Sequence, residues 1–181
     1  DIIFKDVNGD NVIDGNDRVR NDKSRTPRFT GGLNVDLGYK DFDLSFLLQG
    51  AMGGVFYQTT ESGGFSNFLK SFYDNRWTEE NPDADFPRTY NRSNEYFINQ
   101  QNTFWLHKTD YIRLKNIELG YTVPSIWSKK IGVEHLRVYI NAYNLLTISP
   151  DMKDYDPENT SGSGYNYPLN KVINFGVNLT F

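Results

Sequence analysis

The sequence predicts an all-β fold: five antiparallel strands belonging to a transmembrane β-barrel with long external loops. Two observations carry this expectation. Period-two alternation recurs along the chain, with the larger apolar side chains on one face and small or polar ones on the other. Successive side chains of a strand point to opposite faces, and a barrel wall in a bilayer needs an apolar outer face and a polar inner one. The connections between these stretches also alternate short, long, short, long, matching short periplasmic turns and long external loops.

Residues 1–28 open with Ile2, Ile3 and Phe4 and continue as an acidic, Asn/Gly-rich loop expected on the external side. Phe29, Gly31, Leu33, Val35 and Leu37 then alternate with Thr30, Gly32, Asn34, Asp36 and Gly38. A tight turn at Tyr39–Asp41 leads into Phe42, Leu44, Phe46 and Leu48, alternating with Asp43, Ser45, Leu47 and Gln49, which reads as a hairpin. Residues 58–103 form a long polar loop. A strand is expected over 104–123, then a connection from Pro124 to His135 on the periplasmic side. Leu136, Val138, Ile140 and Ala142 alternate with Arg137, Tyr139, Asn141 and Tyr143 in the next strand. The loop 148–168 precedes the terminal strand, where Ile173, Phe175, Val177, Leu179 and Phe181 share one face. Aromatics gather where the membrane interfaces are expected: Tyr39, Phe42, Tyr121 and Trp127 below, Tyr57, Phe104 and Trp105 above. One stretch conflicts with this parity. If Ile117, Leu119 and Tyr121 face lipid, so do Arg113 and Lys115, unless a β-bulge near Asn116 or a rise above the bilayer intervenes.

Composition agrees with a barrel wall. The hydrophobic fraction is 38% and the aromatic fraction 15%. Apolar runs are too short for a membrane-spanning helix, whereas barrel strands interleave lipid-facing with lumen-facing residues. A net charge of −4 argues against a nucleic-acid surface. The absence of Cys removes disulfides, thiolate metal sites and thiol nucleophiles. Five strands do not close a barrel, so the chain is expected to be the C-terminal piece of a longer polypeptide, with any targeting signal upstream.

The acidic loop carries one motif with chemistry. Asp6, Asn8, Asp10, Asp14 and Asp17 stand at positions 1, 3, 5, 9 and 12 of a twelve-residue loop, with the Val12 carbonyl at position 7. That spacing suits Ca²⁺, a hard cation taking six to eight oxygens. Asn11 replaces the usual glycine at position 6, and Asp17 is shorter than the usual Glu. The expected role is a loop-stiffening ion; the alternative is a solvated acidic turn. In the external loops, Tyr73, Trp77, Tyr90 and Tyr96, together with Tyr155, Tyr165 and Tyr167, are candidates for contact with cargo, because aromatic faces stack on sugars and also line peptide pockets. Any single one of them is more readily read as packing the loops together or meeting a lid protein; the contact with cargo or lid is expected of the loops jointly.

Catalysis finds little footing. His107 and His135 lack metal-spaced neighbours and are expected at the surface, no G-x-S-x-G elbow occurs, and no carboxylate spacing nominates a glycosidase pair. Asp36, Asp43, Gln49, Arg137 and Asn141 are expected to line a hydrated inner wall.

Several stretches resemble the C-terminal end of the SusC/RagA family of TonB-dependent outer-membrane transporters. They are Phe4-Lys5-Asp6-Val7-Asn8-Gly9-Asp10, Arg76-Trp77-Thr78-Glu79-Glu80-Asn81-Pro82, Phe86-Pro87-Arg88, and the run Asp110-Tyr111-Ile112-Arg113-Leu114-Lys115-Asn116-Ile117-Glu118-Leu119-Gly120-Tyr121-Thr122-Val123-Pro124. Asn144-Leu145-Leu146-Thr147, Asp156-Pro157-Glu158 and Asn178-Leu179-Thr180-Phe181 complete the set in the family's order. The resemblance implies the last five strands of a 22-stranded barrel in the cell outer membrane. It further implies import of oligosaccharides or oligopeptides beneath a SusD-like surface lipoprotein, powered by TonB through a plug and upstream region absent from these residues, and no enzymatic activity. The competing expectation is a soluble, carbohydrate-binding β-sandwich with a calcium loop; a glycan-degrading enzyme ranks third.

Overall fold

The structure, a computed structural model, describes residues 2–57, 69–88, 102–159, 167 and 169–181. Alternation sets the strands: β1 (Phe29–Tyr39), β2 (Phe42–Met52), β5 (Tyr111–Thr122), β6 (His135–Ile148) and β7 (Val172–Thr180) form one antiparallel sheet in the order β1-β2-β5-β6-β7. Their lengths of 9 to 14 residues suit tilted strands crossing a bilayer. Two further short strands, β3 (Val55–Tyr57) and β4 (Leu106–Lys108), pair in a second, two-stranded sheet. The helices are short: α1 (Lys70–Asn75) in the long loop, α2 (Ser125–Ser128) in the connection after β5, and 3-10 turns at Gly15–Asp17 and Lys129–Ile131.

The register lines up side chains in rows across all five strands. Val35, Phe46, Ile117, Ala142 and Ile173 make one outer row; Leu37, Leu44, Leu119, Ile140 and Phe175 make the next; Tyr39, Phe42, Tyr121, Val138 and Val177 close the short-turn end. Between them run inner rows such as Asp36, Ser45, Glu118, Asn141 and Asn174. Much of the outer rows is exposed, Phe175 at 82% and Leu37 at 57%, while the small Ala142 is covered, at 7%. Among the described residues no second sheet covers this face, whereas a β-sandwich buries it against one. The outer strands β1 and β7 each leave one edge unpaired, and in a bilayer such edges must be closed by further strands.

One expectation is corrected here, and one left open is decided. The strand expected over 104–123 is two strands, because β4 leaves the main sheet to pair with β3 while Asp110 accepts a hydrogen bond from the Gly53 amide at 2.7 Å. The parity conflict at Arg113 and Lys115 is settled by a bulge. Leu48 pairs with Leu114 but Leu47 pairs with Asn116, and on the other side Leu114 faces Leu146 while Asn116 faces Tyr143. Against β2, Lys115 is thus the extra residue; against β6 the single Lys115 stands opposite both Asn144 and Leu145, and Asn144 takes φ = 51°. Above Lys115 the alternation flips, so Ile112 and Leu114 point outward and Arg113 inward.

The buried core lies above the sheet. Phe72 of α1 and Trp105 are its centre, with Ile2, Phe4, Tyr57, Leu69 and Phe86 packed around them. Trp105 stacks on Phe86 at 6.2 Å between centroids and meets Phe104 edge-on at 4.8 Å. The two histidines sit at strand ends: His135 is exposed at the start of β6, whereas His107 in β4 is half-buried with Nδ1 3.4 Å from Asp151 Oδ1.

Candidate functional site

The bulge turns Arg113 into the anchor of an external loop. Its guanidinium is fully buried, and Nη2 donates to both Asp156 carboxylate oxygens at 2.8 Å. Nη1 donates to Glu158, and Nε to Thr147 Oγ1 at 2.9 Å. Glu158 also accepts from the Tyr111 hydroxyl at 2.7 Å and from Gln49 Nε2 at 3.3 Å, and its other carboxylate oxygen lies 3.5 Å from Lys115 Nζ. The segment Asp156-Pro157-Glu158 is therefore folded down onto the polar face of β2, β5 and β6. A planar guanidinium forks onto carboxylates, which is how one side chain can hold two acids from the same loop. Higher in the loop, Asp151 accepts from the Lys108 amide at 2.7 Å and Asp154 from the Ser71 hydroxyl at 2.7 Å. These bonds tie the loop to β4 and α1.

Above this clasp lies a cleft of about 1860 Å³ between the amino-terminal segment, the 77–87 turn and residues 102–106. Trp77, Phe86 and Phe104 provide aromatic surface, while Lys5, Arg20 and Asp85 bring charge of both signs to its walls. The 77–87 turn is fixed to its surroundings by the Trp77 amide donating to the Phe86 carbonyl at 2.8 Å and by reciprocal Thr78–Asn81 backbone bonds. A concavity with both apolar and polar walls is the general form of a ligand site, and this one is larger and more open than a small molecule needs.

The aromatic candidates scatter. Trp77 lines the cleft. Tyr73 is exposed on α1 with the Arg76 guanidinium 4.0 Å from its ring centroid. Tyr155 is half-buried beside the clasp, and Tyr167 is 83% exposed. Tyr90, Tyr96 and Tyr165 lie outside the described residues. Sequence reasoning missed Ile2, Phe4 and Phe104 as cleft walls; their only signal was an aromatic or apolar cluster without periodicity.

The acidic loop has the backbone that its spacing implied. Asn11, in the position-6 slot, takes φ = 63°, which Asn tolerates better than most residues. Asp6 accepts from the Gly9 and Asn11 amides at 2.6 and 2.8 Å, Asp10 from the Val12 amide at 2.8 Å, and Asp17 from the Val7 and Asp14 amides, each at 2.8 Å. The amides of Asp14 and, next, Val7 hold the Asp17 carboxyl below its ordinary value. The donor chemistry, all hard oxygen, fits Ca²⁺. The side chains as placed close on backbone amides, and among the described residues no three acidic or imidazole groups converge on one point.

The inner face below the clasp is a second charged layer. Arg137 bonds Asp43 with Nε at 3.0 Å and Glu118 with Nη2 at 2.7 Å. Asn141 Nδ2 donates to Glu118 at 3.3 Å and Asn174 Nδ2 to Asn141 Oδ1 at 2.9 Å. Gly120 and Gly176 leave room for the Arg137 and Tyr139 side chains to lie flat on the sheet, since a Cβ at either position would collide with them. Of the expected inner-wall residues, Asp43, Arg137 and Asn141 belong to this layer, Gln49 joins the clasp, and Asp36 accepts from Asn34 Nδ2 at 2.7 Å.

A largely exposed apolar outer face, an ion-paired inner face and long connections at one end, whose described parts pack on one another, define a segment of a membrane β-barrel wall. No family profile matches the chain. Curated relatives do: TonB-dependent receptor P3 of Formosa agariphila is 31% identical over 99% of this chain, and receptor P26 of the same organism is 32% identical over 98%. TonB-dependent receptor SusC of Bacteroides thetaiotaomicron is 28% identical over 99%. The chain spans only 17–19% of the length of these relatives. Among solved structures, the RagAB peptide transporter matches 94% of the chain at 30% identity and a TM-score of 0.68, and the RagAB peptide importer in its open-open state matches at 0.67. The chain belongs to the SusC/RagA family of TonB-dependent receptors, as a C-terminal segment of the barrel. These relatives are named receptors and transporters, not enzymes.

Proposed function

We propose that the polypeptide carrying this chain imports oligosaccharides or oligopeptides across the outer membrane, driven by TonB through its upstream region and assisted by a SusD-like surface lipoprotein. This chain supplies five wall strands and three external segments, 1–28, 58–103 and 148–168, and performs no covalent chemistry. The observation that carries the proposal is the sheet itself, with largely exposed outer rows, a charged inner face and a loop clasped onto that face, in a chain similar nearly end to end to TonB-dependent receptors. The cleft lined by Trp77, Phe86 and Phe104 is the surface offered to cargo or lid.

The test is growth of cells carrying the full-length protein on oligosaccharide or oligopeptide as the limiting nutrient, with and without TonB. Growth on one class that is lost without TonB supports the reading and names the cargo. TonB-independent growth, or recovery of the protein as a detergent-free soluble species, overturns it. Replacing Trp77 with Ala is expected to weaken cargo or lid binding severalfold, read by titration of the purified transporter, without a change in its melting temperature. The loop 6–17 is proposed to take Ca²⁺ as a stiffening ion, supported by its oxygen spacing and the left-handed Asn11. Calorimetric titration with Ca²⁺ should give a one-site isotherm that Asp10→Ala abolishes; a flat isotherm in the unaltered protein leaves a self-bonded acidic turn.

A further inference from the structure

The two short connections at the end opposite the clasp are built very differently. Between β1 and β2 the chain reverses through Lys40 and Asp41, with Lys40 at φ = 55°. Between β5 and β6 it builds a compact knob from α2 and the 3-10 turn at Lys129–Ile131. The knob is ordered from within: Gly132 donates to the Lys129 carbonyl and Val133 to the Ser128 carbonyl, both at 3.1 Å, and Ser128 and Val133 are buried. It is also pinned to the sheet, since the Val123 amide donates to Leu136 and the Glu134 amide to Thr180, both at 2.8 Å.

Its polarity is inverted relative to a turn in water. The buried positions include the hydroxyl-bearing Ser128, while Ile126, Trp127 and Ile131 are 70%, 62% and 69% exposed. Lys129 and Lys130 stand between these apolar side chains, and neither makes an ion pair among the described residues. The acidic groups at this end are Asp41 in the hairpin turn and Glu134 after the knob. The apolar surface is continuous in kind with the outer row at the same end of the sheet. There Tyr39 is 71% exposed, and Phe42 packs on Tyr121 with ring centroids 4.7 Å apart.

We propose that this knob is a phospholipid anchor in the periplasmic leaflet. Ile126, Trp127 and Ile131 enter the boundary between headgroups and acyl chains, and Lys129 and Lys130 bind the phosphates of anionic phospholipid. An indole and branched aliphatic side chains beside paired lysines are what an interfacial element presents, and an anionic phosphate layer attracts each ammonium group near it by about 1 kcal/mol. The isolated hairpin turn on the same side needs no such device, because two residues suffice to reverse the chain. The anchor would fix the height and tilt of the β5–β6 pair, the two strands that carry both arginine clusters.

The inference rests on the outer-membrane reading, and its test separates the two. The full-length transporter is placed in nanodiscs of phosphatidylcholine with brominated acyl chains, and tryptophan emission is compared between the unaltered protein and Trp127→Phe. The emission component removed by that substitution should be quenched by the brominated lipid and shielded from iodide in the buffer. In parallel, phosphatidylglycerol retained by the purified protein should fall about fivefold per lysine replaced by Gln at positions 129 and 130. A Trp127 component reached by iodide and untouched by brominated lipid, or unchanged phosphatidylglycerol retention, overturns the anchor and leaves the knob facing water or another protein. Heat-modifiable migration of the same samples reports the barrel: if it is lost in the unaltered protein, the membrane reading fails; if it is kept, only the anchor does.

Discussion

Arg113 and Arg137 lie on the same inner face of the same sheet, each bound by two carboxylates, yet they do different work. The partners of Arg113 come from the loop after β6, and its side chain is 1% exposed. The partners of Arg137 come from β2 and β5, and its side chain is 18% exposed, with Asp43 at 45% and Glu118 at 31%. One cluster joins a loop to the wall; the other joins wall strands that already share backbone ladders. The difference teaches that the number of ion pairs says little by itself. What matters is whether water can replace a lost partner, and whether anything else holds the two pieces together.

Removing the buried cation should break the comparison most visibly. Arg113→Met strands Asp156 and Glu158 against a covered face, and a buried pair that loses one member costs about 3–5 kcal/mol. Thermal unfolding of the full-length protein should shift down. Amides of residues 149–159 should lose hydrogen-exchange protection while β6 and β7 keep theirs; equal loss in the strands would make Arg113 a wall residue after all. Next in size is Gly176→Ala, which drives a methyl group into the Tyr139 ring. Overpacking of this kind costs about 1–3 kcal/mol, and exchange should rise at the β6–β7 ladder and not in the loop. Arg137→Met should cost about 1 kcal/mol or less, since its carboxylates reach water and exposed pairs are worth little. A loss matching that of Arg113→Met would erase the distinction drawn here.

The smallest effect sharpens a third case, a carboxylate held by backbone amides and no arginine. Asp17 is held below its ordinary value of 3.8. A group whose folded-state value is depressed contributes stability above the unfolded value, and that contribution is lost as pH falls through the folded one. The 6–17 loop should therefore keep its order at pH 5 and lose it as pH drops below 3.8. Exchange of the Val7 and Asp14 amides, corrected for intrinsic rates, reads this directly. Asp17→Asn should bring the loosened state to neutral pH, while the Arg113 clasp stays closed.

Much of the wall was legible because period-two alternation is a local property. Phe29–Leu37, Phe42–Leu48 and Ile173–Phe181 each announce their own faces, and loop lengths supply their order and direction. The left-handed Asn11 followed from motif spacing in the same local way. The cleft was less legible. Trp77 was nominated by its type, but Ile2 and Phe4 reach the cleft from more than 70 residues before it and Phe104 from 27 residues after it, which no periodicity connects. The same holds for β3 and β4, three-residue strands too short to signal themselves and formed because each meets the other.

By itself, the sequence determined an antiparallel apolar-outside wall, its turns and loops, and a conflict at Arg113 and Lys115. It could name a bulge as one solution but not select it, because a bulge is chosen by pairing on both sides at once. Only the tertiary structure decided that Lys115 is the extra residue against Leu47 and Leu48 of β2, and that β6 adds one residue more between Tyr143 and Leu146. That single inserted residue turns Arg113 from lipid to lumen. The physical reason is that an arginine on the outer face would be solvated by nothing, whereas one step of parity delivers it to Asp156 and Glu158, more than forty residues along the chain.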